Sequence, residues 1–145
     1  MKIIYENGFT LIELLITLAV LAILASFAAP SFNAMLINQN LNKSTRELAL
    51  TLSDARAKAT LERRNVKVQL NSTAVNTNTQ LNWTPVGKSA LKSSSPTQIT
   101  FVPTGTSNSA TDVSFEICAQ GSSGASKIVT VSRMGNLQLI REGTC

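Results

Sequence analysis

The chain has 145 residues, of which 43% are hydrophobic and only 14% charged, with no histidine. That length allows one domain with an appendage, and that hydrophobic fraction is enough for a packed core. The absence of histidine removes Ser-His-Asp and Cys-His catalysis, and two cysteines alone cannot fill a zinc shell, so no metal and no cofactor is expected. A formal net charge of +5 and a pI of about 9.6 suit a polyanion such as nucleic acid or anionic lipid, or serve solubility alone.

Residues 9–29, FTLIELLITLAVLAILASFAA, are almost all apolar, with one charge at Glu13. As a helix they reach about 31 Å, the thickness of a bilayer's hydrocarbon core. The leader before them, MKIIYENG, is short and polar-ended, which places it in the cytoplasm and the bulk of the chain across the membrane. Two readings compete. Small residues from Ala25 to Ala29 offer a signal-peptidase site, which would make the span disposable. Glu13 favours a retained helix, because an acid inside a span is costly and needs a partner.

Pro30 ends or kinks this first stretch. A helical stripe follows at Leu41, Thr45, Leu48, Leu52, Ala55 and Ala59, with Lys43, Arg46, Glu47, Asp54, Lys58 and Glu62 largely off it. This predicts one amphipathic helix packed on a sheet, the whole helix running from about residue 10 to about residue 63. After Asn65 the composition turns to Val, Thr, Ser, Asn and Gln. Strands are predicted at 66–70, 80–83, 98–102, 113–118, 128–132 and 137–141, with turn-rich stretches at 71–78, 85–96, 103–111 and 119–126. The lengths favour an antiparallel meander, with Met134-Gly135-Asn136 as a tight hairpin between the last two strands and no internal repeat. The fold class is α+β.

Cys118 and Cys145, beyond a membrane-directing segment, read as one disulfide in an oxidising compartment, with two unpaired buried thiols as the alternative. The bridge would contribute roughly 3–4 kcal/mol through loop closure. Asp112 and Glu116 fall on one face of a strand, an arrangement that in principle allows acid–base work but more often marks a solvated surface. No phosphate loop or nucleophile with a base is present, so an enzyme is not expected. Arg56, Lys58, Arg63, Arg64 and Lys67 form the densest basic run. They offset the helix C-terminal dipole or, in the functional alternative, contact DNA phosphates. Trp83 fits the core better than a base-stacking platform.

Gly8-Phe9-Thr10-Leu11-Ile12-Glu13-Leu14 resembles the processing motif of type IV pilins and type II secretion pseudopilins, and Pro30 falls where many of them also have proline. The resemblance implies cleavage by a prepilin peptidase after Gly8, N-methylation of Phe9, and pairing of Glu13 with the N-terminal amine of a neighbouring subunit, which would fix register. Within that family, Leu52-x-x-Ala55-Arg56-x-x-Ala59, Arg63-Arg64-Asn65, Ile99-Thr-Phe101-x-Pro103-x-Gly105 and Val129-Thr-Val131-Ser132-Arg133-x-Gly135 resemble the GspH/FimT/FimU group. The match keeps its order over residues 8–141.

This implies a type IV pilin fold, a long N-terminal helix packed on an antiparallel β-sheet head. Its parts would be a cleaved leader at 1–8, a transmembrane and filament-core helix at 9–29, an amphipathic helix at 30–64 and a β-rich head at 65–145. It further implies a minor subunit that helps initiate or cap a pilus through contacts with other minor and major pilins. That subunit would sit in the inner membrane with a periplasmic head and then at the pilus tip. Some FimT-type pilins bind DNA through a C-terminal Gly-Arg-x-Arg. Here that stretch reads Gly135-Asn136-Leu137-Gln138, with both arginines replaced and only Arg133 and Arg141 flanking. The departure favours a FimU-like structural role. DNA contact through Arg63, Arg64, Lys67, Arg133 and Arg141, and a pseudopilin of type II secretion, stand as alternatives.

Overall fold

The computed structural model describes residues 9–121 and 124–145, without the side chains of 27–30. Helix α1 (Leu11–Leu61) is followed by β1 (Val66–Leu70), β2 (Gln80–Trp83), β3 (Ser89–Leu91), β4 (Gln98–Phe101), β5 (Val113–Ala119), β6 (Ala125–Val131) and β7 (Arg141–Thr144). The chain divides into two compact units, residues 1–35 and 36–145.

Within the first unit, Thr10 opens α1. Its Oγ1 accepts from the Glu13 N–H at 3.3 Å and its carbonyl accepts from the Leu14 N–H at 3.2 Å. A threonine N-cap with an acid three residues on satisfies helix donors that have no intrahelical partner. From Leu11 to Ser26 every side chain is exposed. Apolar side chains on all faces of a helix need an apolar surround that the chain alone does not supply. The helix assignment continues through Pro30; the kink expected there rests on residues whose side chains lie outside the described part, as does the expected leader at 1–8.

The second unit holds the core. Leu41, Thr45, Leu48, Leu52, Ala55 and Ala59, the stripe read from the sequence, are all buried. Ala55 and Ala59, the small members of the stripe, are fully buried. Val66, Val68, Leu70, Ile99, Phe101, Phe115, Ile117, Val129 and Val131 face the stripe's hydrophobic cluster. They alternate with half-exposed polar residues, as a one-side-covered sheet requires.

The strands form two sheets, ordered β2-β1-β4 and β3-β5-β6-β7, instead of a single meander. β1 and β4 are antiparallel, but β1 and β2 run parallel, with Lys67 opposite Gln80 and Leu70 opposite Trp83. Residues 71–79 make this parallel return feasible, because a stretch of that length reaches about 30 Å, well beyond the roughly 17 Å of β1. The second sheet is antiparallel throughout.

β3 lies inside the stretch expected to be only turns. Its burial comes from α1: the Ser44 and Ser89 hydroxyls meet at 2.7 Å, and Ser44 Oγ accepts from the Val86 N–H at 2.8 Å. That signal is tertiary and leaves no local pattern. β7 begins later than expected. Leu137 bridges Val131, but after one extra residue around 138–140 the register shifts so that Arg141 pairs with Ile128. This is a β-bulge, which sequence periodicity does not reveal.

Two turns share one design despite the absence of an evident repeat in the sequence. In 102–106, the Gly105 N–H donates to the Val102 carbonyl at 2.8 Å and the Val102 N–H to the Thr106 carbonyl at 3.0 Å. In 132–136 the same two bonds join Gly135 to Ser132 at 2.8 Å and Ser132 to Asn136 at 2.9 Å. Gly105 and Gly135 have φ of +78° and +79°, a conformation glycine adopts without steric cost.

Candidate functional site

Phe9 is 76% exposed at the head of α1, and Gly8 before it lies outside the described residues. Glu13 occupies the first turn of α1. The N-terminal end of a helix dipole favours an anion there, a local stabilisation that acts beside any partner charge. The apolar window of α1 has a mean hydropathy of 2.5 and none of it is buried, so this helix is long and apolar enough to cross a membrane.

The two cysteines are joined. Cys118 of β5 and Cys145 just after β7 form a disulfide with Cα atoms 5.9 Å apart. β6 lies between them in the sheet, so the bridge pins the end of the edge strand across its neighbour. Beneath it, Glu116 accepts from Lys92 Nζ and from Ser126 Oγ, both at 2.7 Å, and lies 3.8 Å from Cys145 Sγ. The bonds from Lys92 and then Ser126 hold the Glu116 carboxyl below its ordinary 4.5.

Asp112 and Glu116 do not act as a pair. Asp112 accepts from the Arg133 N–H at 3.0 Å and from Gln138 Nε2 at 2.8 Å, and so ties down the 132–136 turn. Each acid is occupied by a structural contact.

The basic residues divide among separate places. Arg63 has φ of +49° and the Arg64 N–H donates to the Ala59 carbonyl at 3.3 Å, the bond that closes a helix C-terminus around a left-handed residue. Arg64 Nε pairs with Glu62 at 2.8 Å. Lys67 is half-buried on the outward face of β1. Arg133 lies in the second glycine turn. Arg141, on β7 opposite Ile128, is about 16 Å away along β6. The structure therefore does not bring Arg133 and Arg141 together. Gln138, at the second replaced arginine position, is held by Asp112. Trp83 is a core residue, 4% exposed, and its Nε1 has no hydrogen-bond partner among the described residues.

Sequence reasoning missed the function of Arg56. Its guanidinium donates from Nε to the Gly105 carbonyl at 3.0 Å and from Nη2 to the Met134 carbonyl at 3.4 Å, joining α1 to both glycine turns. A shallow groove beside it is lined by Ser53, Ala57, Thr60 and Leu137. The signal was present as the recurrence of an x-Gly turn after Phe101 and after Val131.

A long apolar-ended helix covering a β-sheet head with a C-terminal disulfide defines the type IV pilin class of fold. The model of the prokaryotic N-terminal methylation motif matches residues 5–29, and that of the type II transport protein GspH matches residues 44–135. The chain belongs to this GspH family. It is similar in fold to the crystal structure of the type IV minor pilin FimU of Pseudomonas aeruginosa (strain PAO1). The identity is 22% and the TM-score 0.54, over 70% of this chain and 89% of that one. A second crystal form of FimU aligns at 23% identity and a TM-score of 0.49, over 68% of this chain and 90% of that one. No match is found among curated protein sequences.

Proposed function

We propose that the chain is a minor type IV pilin that helps initiate or cap pilus assembly through contacts with other minor and major pilins. The observation that carries this reading is the helix from Leu11 to Ser26, exposed on every face, almost all apolar with one charge at Glu13, and lying within residues 5–29, which match the methylation motif. A prepilin peptidase removes residues 1–8 after Gly8, and Phe9 is then methylated. Residues 9–29 hold the protein in the inner membrane with the head in the periplasm. The same helix then enters the filament core, leaving the head at the pilus tip. Glu13 pairs there with the N-terminal amine of a neighbour, because a carboxylate in an apolar bundle is tolerated when it meets an opposite charge.

The test is Glu13→Ala. The mature N-terminus should still begin at Phe9 and carry one extra methyl group by mass spectrometry, while incorporation into sheared filaments is lost. Normal incorporation of the variant would sink the charge-pair account; a mature chain starting beyond Glu13 would sink the pilin reading itself. A second reading, a subunit of a type II transport filament, is favoured by the description of the family model matched at residues 44–135. Which machine co-purifies with the mature protein separates the two.

A further inference from the structure

The sheet edges of the head are finished in different ways. At β2, the Asn82 N–H donates to the Asn76 side chain at 2.7 Å and Asn82 Nδ2 to the Val75 carbonyl at 3.1 Å, so the preceding loop caps the edge. At β4, the Asn108 N–H donates to the Thr100 carbonyl at 2.9 Å, Asn108 Oδ1 accepts from the Thr100 N–H at 3.3 Å, and Ser107 bridges Phe101. β3 is three residues long with both ends buried. β7 differs from all of these: Arg141, Glu142 and Thr144 are exposed.

Its ladder fixes which groups point outward. The Cys145 N–H donates to the Gly124 carbonyl at 2.7 Å, so by antiparallel alternation Gly143 and Arg141 also bond inward to β6. The N–H and C=O groups of Glu142 and Thr144 then point away from the sheet. No hydrogen bond among the described residues reaches them. An exposed row of unpaired backbone groups is a template for another strand. The strand is also held ready for one, with the Cys118–Cys145 bridge at one end and the 138–140 bulge at the other. Pre-ordering of this kind lowers the entropic cost of pairing.

The charges beside the edge specify what fits. Lys127 lies opposite both Ile117 and Glu142, so Glu142 lies on the face turned toward α1. A groove runs there between β7 and the α1 residues Asn42 and Arg46. Lys127 meets Glu142 at 3.8 Å, whereas Arg46 is exposed and has no ion pair among the described residues. On the opposite face Arg141 is likewise exposed and has no ion pair among the described residues. A strand laid against β7 therefore meets an uncompensated cation on each of its faces.

We propose that β7 is a strand-addition site for an extended, carboxylate-bearing segment of a partner protein. The backbone of that segment bonds to Glu142 and Thr144, and its acids meet Arg46 on one face and Arg141 on the other. This assignment stands on the edge geometry and holds whichever filament the chain serves.

The test uses the full chain in detergent micelles, with short peptides repeating Val-Glu-Glu-Val or Val-Lys-Lys-Val as probes, since adjacent charges in a strand fall on opposite faces. The acidic peptide should bind and slow amide exchange at Glu142 and Thr144, and the basic one should bind at least about tenfold more weakly. Thr144→Pro removes an outward donor while leaving the inward ladder to β6 intact, and should weaken the acidic peptide about tenfold. If that variant does not fold, Arg46→Glu, an exposed substitution, should shift preference toward the basic peptide. Failure of the acidic peptide to bind at millimolar concentration, or protection confined to other strands, overturns the proposal. So does unchanged affinity in a folded Thr144→Pro or Arg46→Glu variant.

Discussion

Arg56 Nε and the Gly105 carbonyl, 3.0 Å apart, join the spine helix to a turn that has a structural twin at Gly135. Both glycines are buried against the arginine, and a Cβ on Gly135 would clash with the Gly105 carbonyl oxygen. Ser107 closes the arrangement by donating its N–H to the Arg133 carbonyl at 3.1 Å, which links the two sheets beside the turns. Arg56→Ala leaves the Gly105 carbonyl short of a donor and should cost about 1–3 kcal/mol in denaturant unfolding. Gly135→Ala combines a strained φ with a backbone clash and should cost at least about 2 kcal/mol. Gly124→Ala is the control: φ is +55° but the space is open, so only about 1 kcal/mol is expected. Equal costs for the two glycines would refute the close-packed junction.

The parts of this architecture that were legible in the sequence are those carried by local pattern. The buried stripe from Leu41 to Ala59 follows from helical spacing, and β1, β2 and the start of β5 appeared at their observed positions because they alternate. The features that escaped notice depend on partners distant in sequence. β3 is a strand because Ser44 reaches Ser89, and β2 runs parallel to β1 because a long loop carries it back. β7 is displaced by a bulge. The functional elements divide the same way. The Phe9–Leu14 motif and the cysteine pair are sequence signals, whereas the Arg56 junction and the open β7 edge exist only once the chain has folded.

Arg63 holds a left-handed conformation at the end of α1, a position where glycine is the usual occupant. Arg63→Gly relieves that strain and should raise stability by up to about 1 kcal/mol, less the added freedom of the unfolded chain. Arg63→Val, β-branched at positive φ, should lower it. Thermal unfolding of the two variants checks the pair; a Val variant as stable as the Gly variant would remove the capping role.

Glu116 predicts an acid-sensitive head. Its carboxyl lies below 4.5 in the folded protein because Lys92 and Ser126 donate to the charged form. A depressed folded value means that the stabilisation is present above 4.5. It is lost as pH falls from there through the lower folded value, since protonation then removes both bonds. Glu116→Gln should flatten this part of the stability–pH curve, and Lys92→Met should raise its lower end and make the loss smaller. Denaturant unfolding from pH 6 to pH 2 measures both. A wild-type curve indistinguishable from that of Glu116→Gln would show that other carboxylates carry the acid response.

Arg63 caps a helix, Arg64 is paired with Glu62, and Gln138 stands at a position where the DNA-binding motif has arginine and is held by Asp112. Arg133 and Arg141 are too far apart to grip one phosphate. Phosphate-driven affinity needs several cations on one surface and falls steeply as salt rises. The full chain in micelles should therefore show no micromolar DNA binding at about 0.15 M salt, and any low-salt binding should fall gradually across charge reversals at Arg63, Arg64, Lys67, Arg133 and Arg141. Binding at micromolar concentration that collapses on reversing a single one of these residues would instead mark a DNA-binding face and move the protein from filament building to DNA uptake.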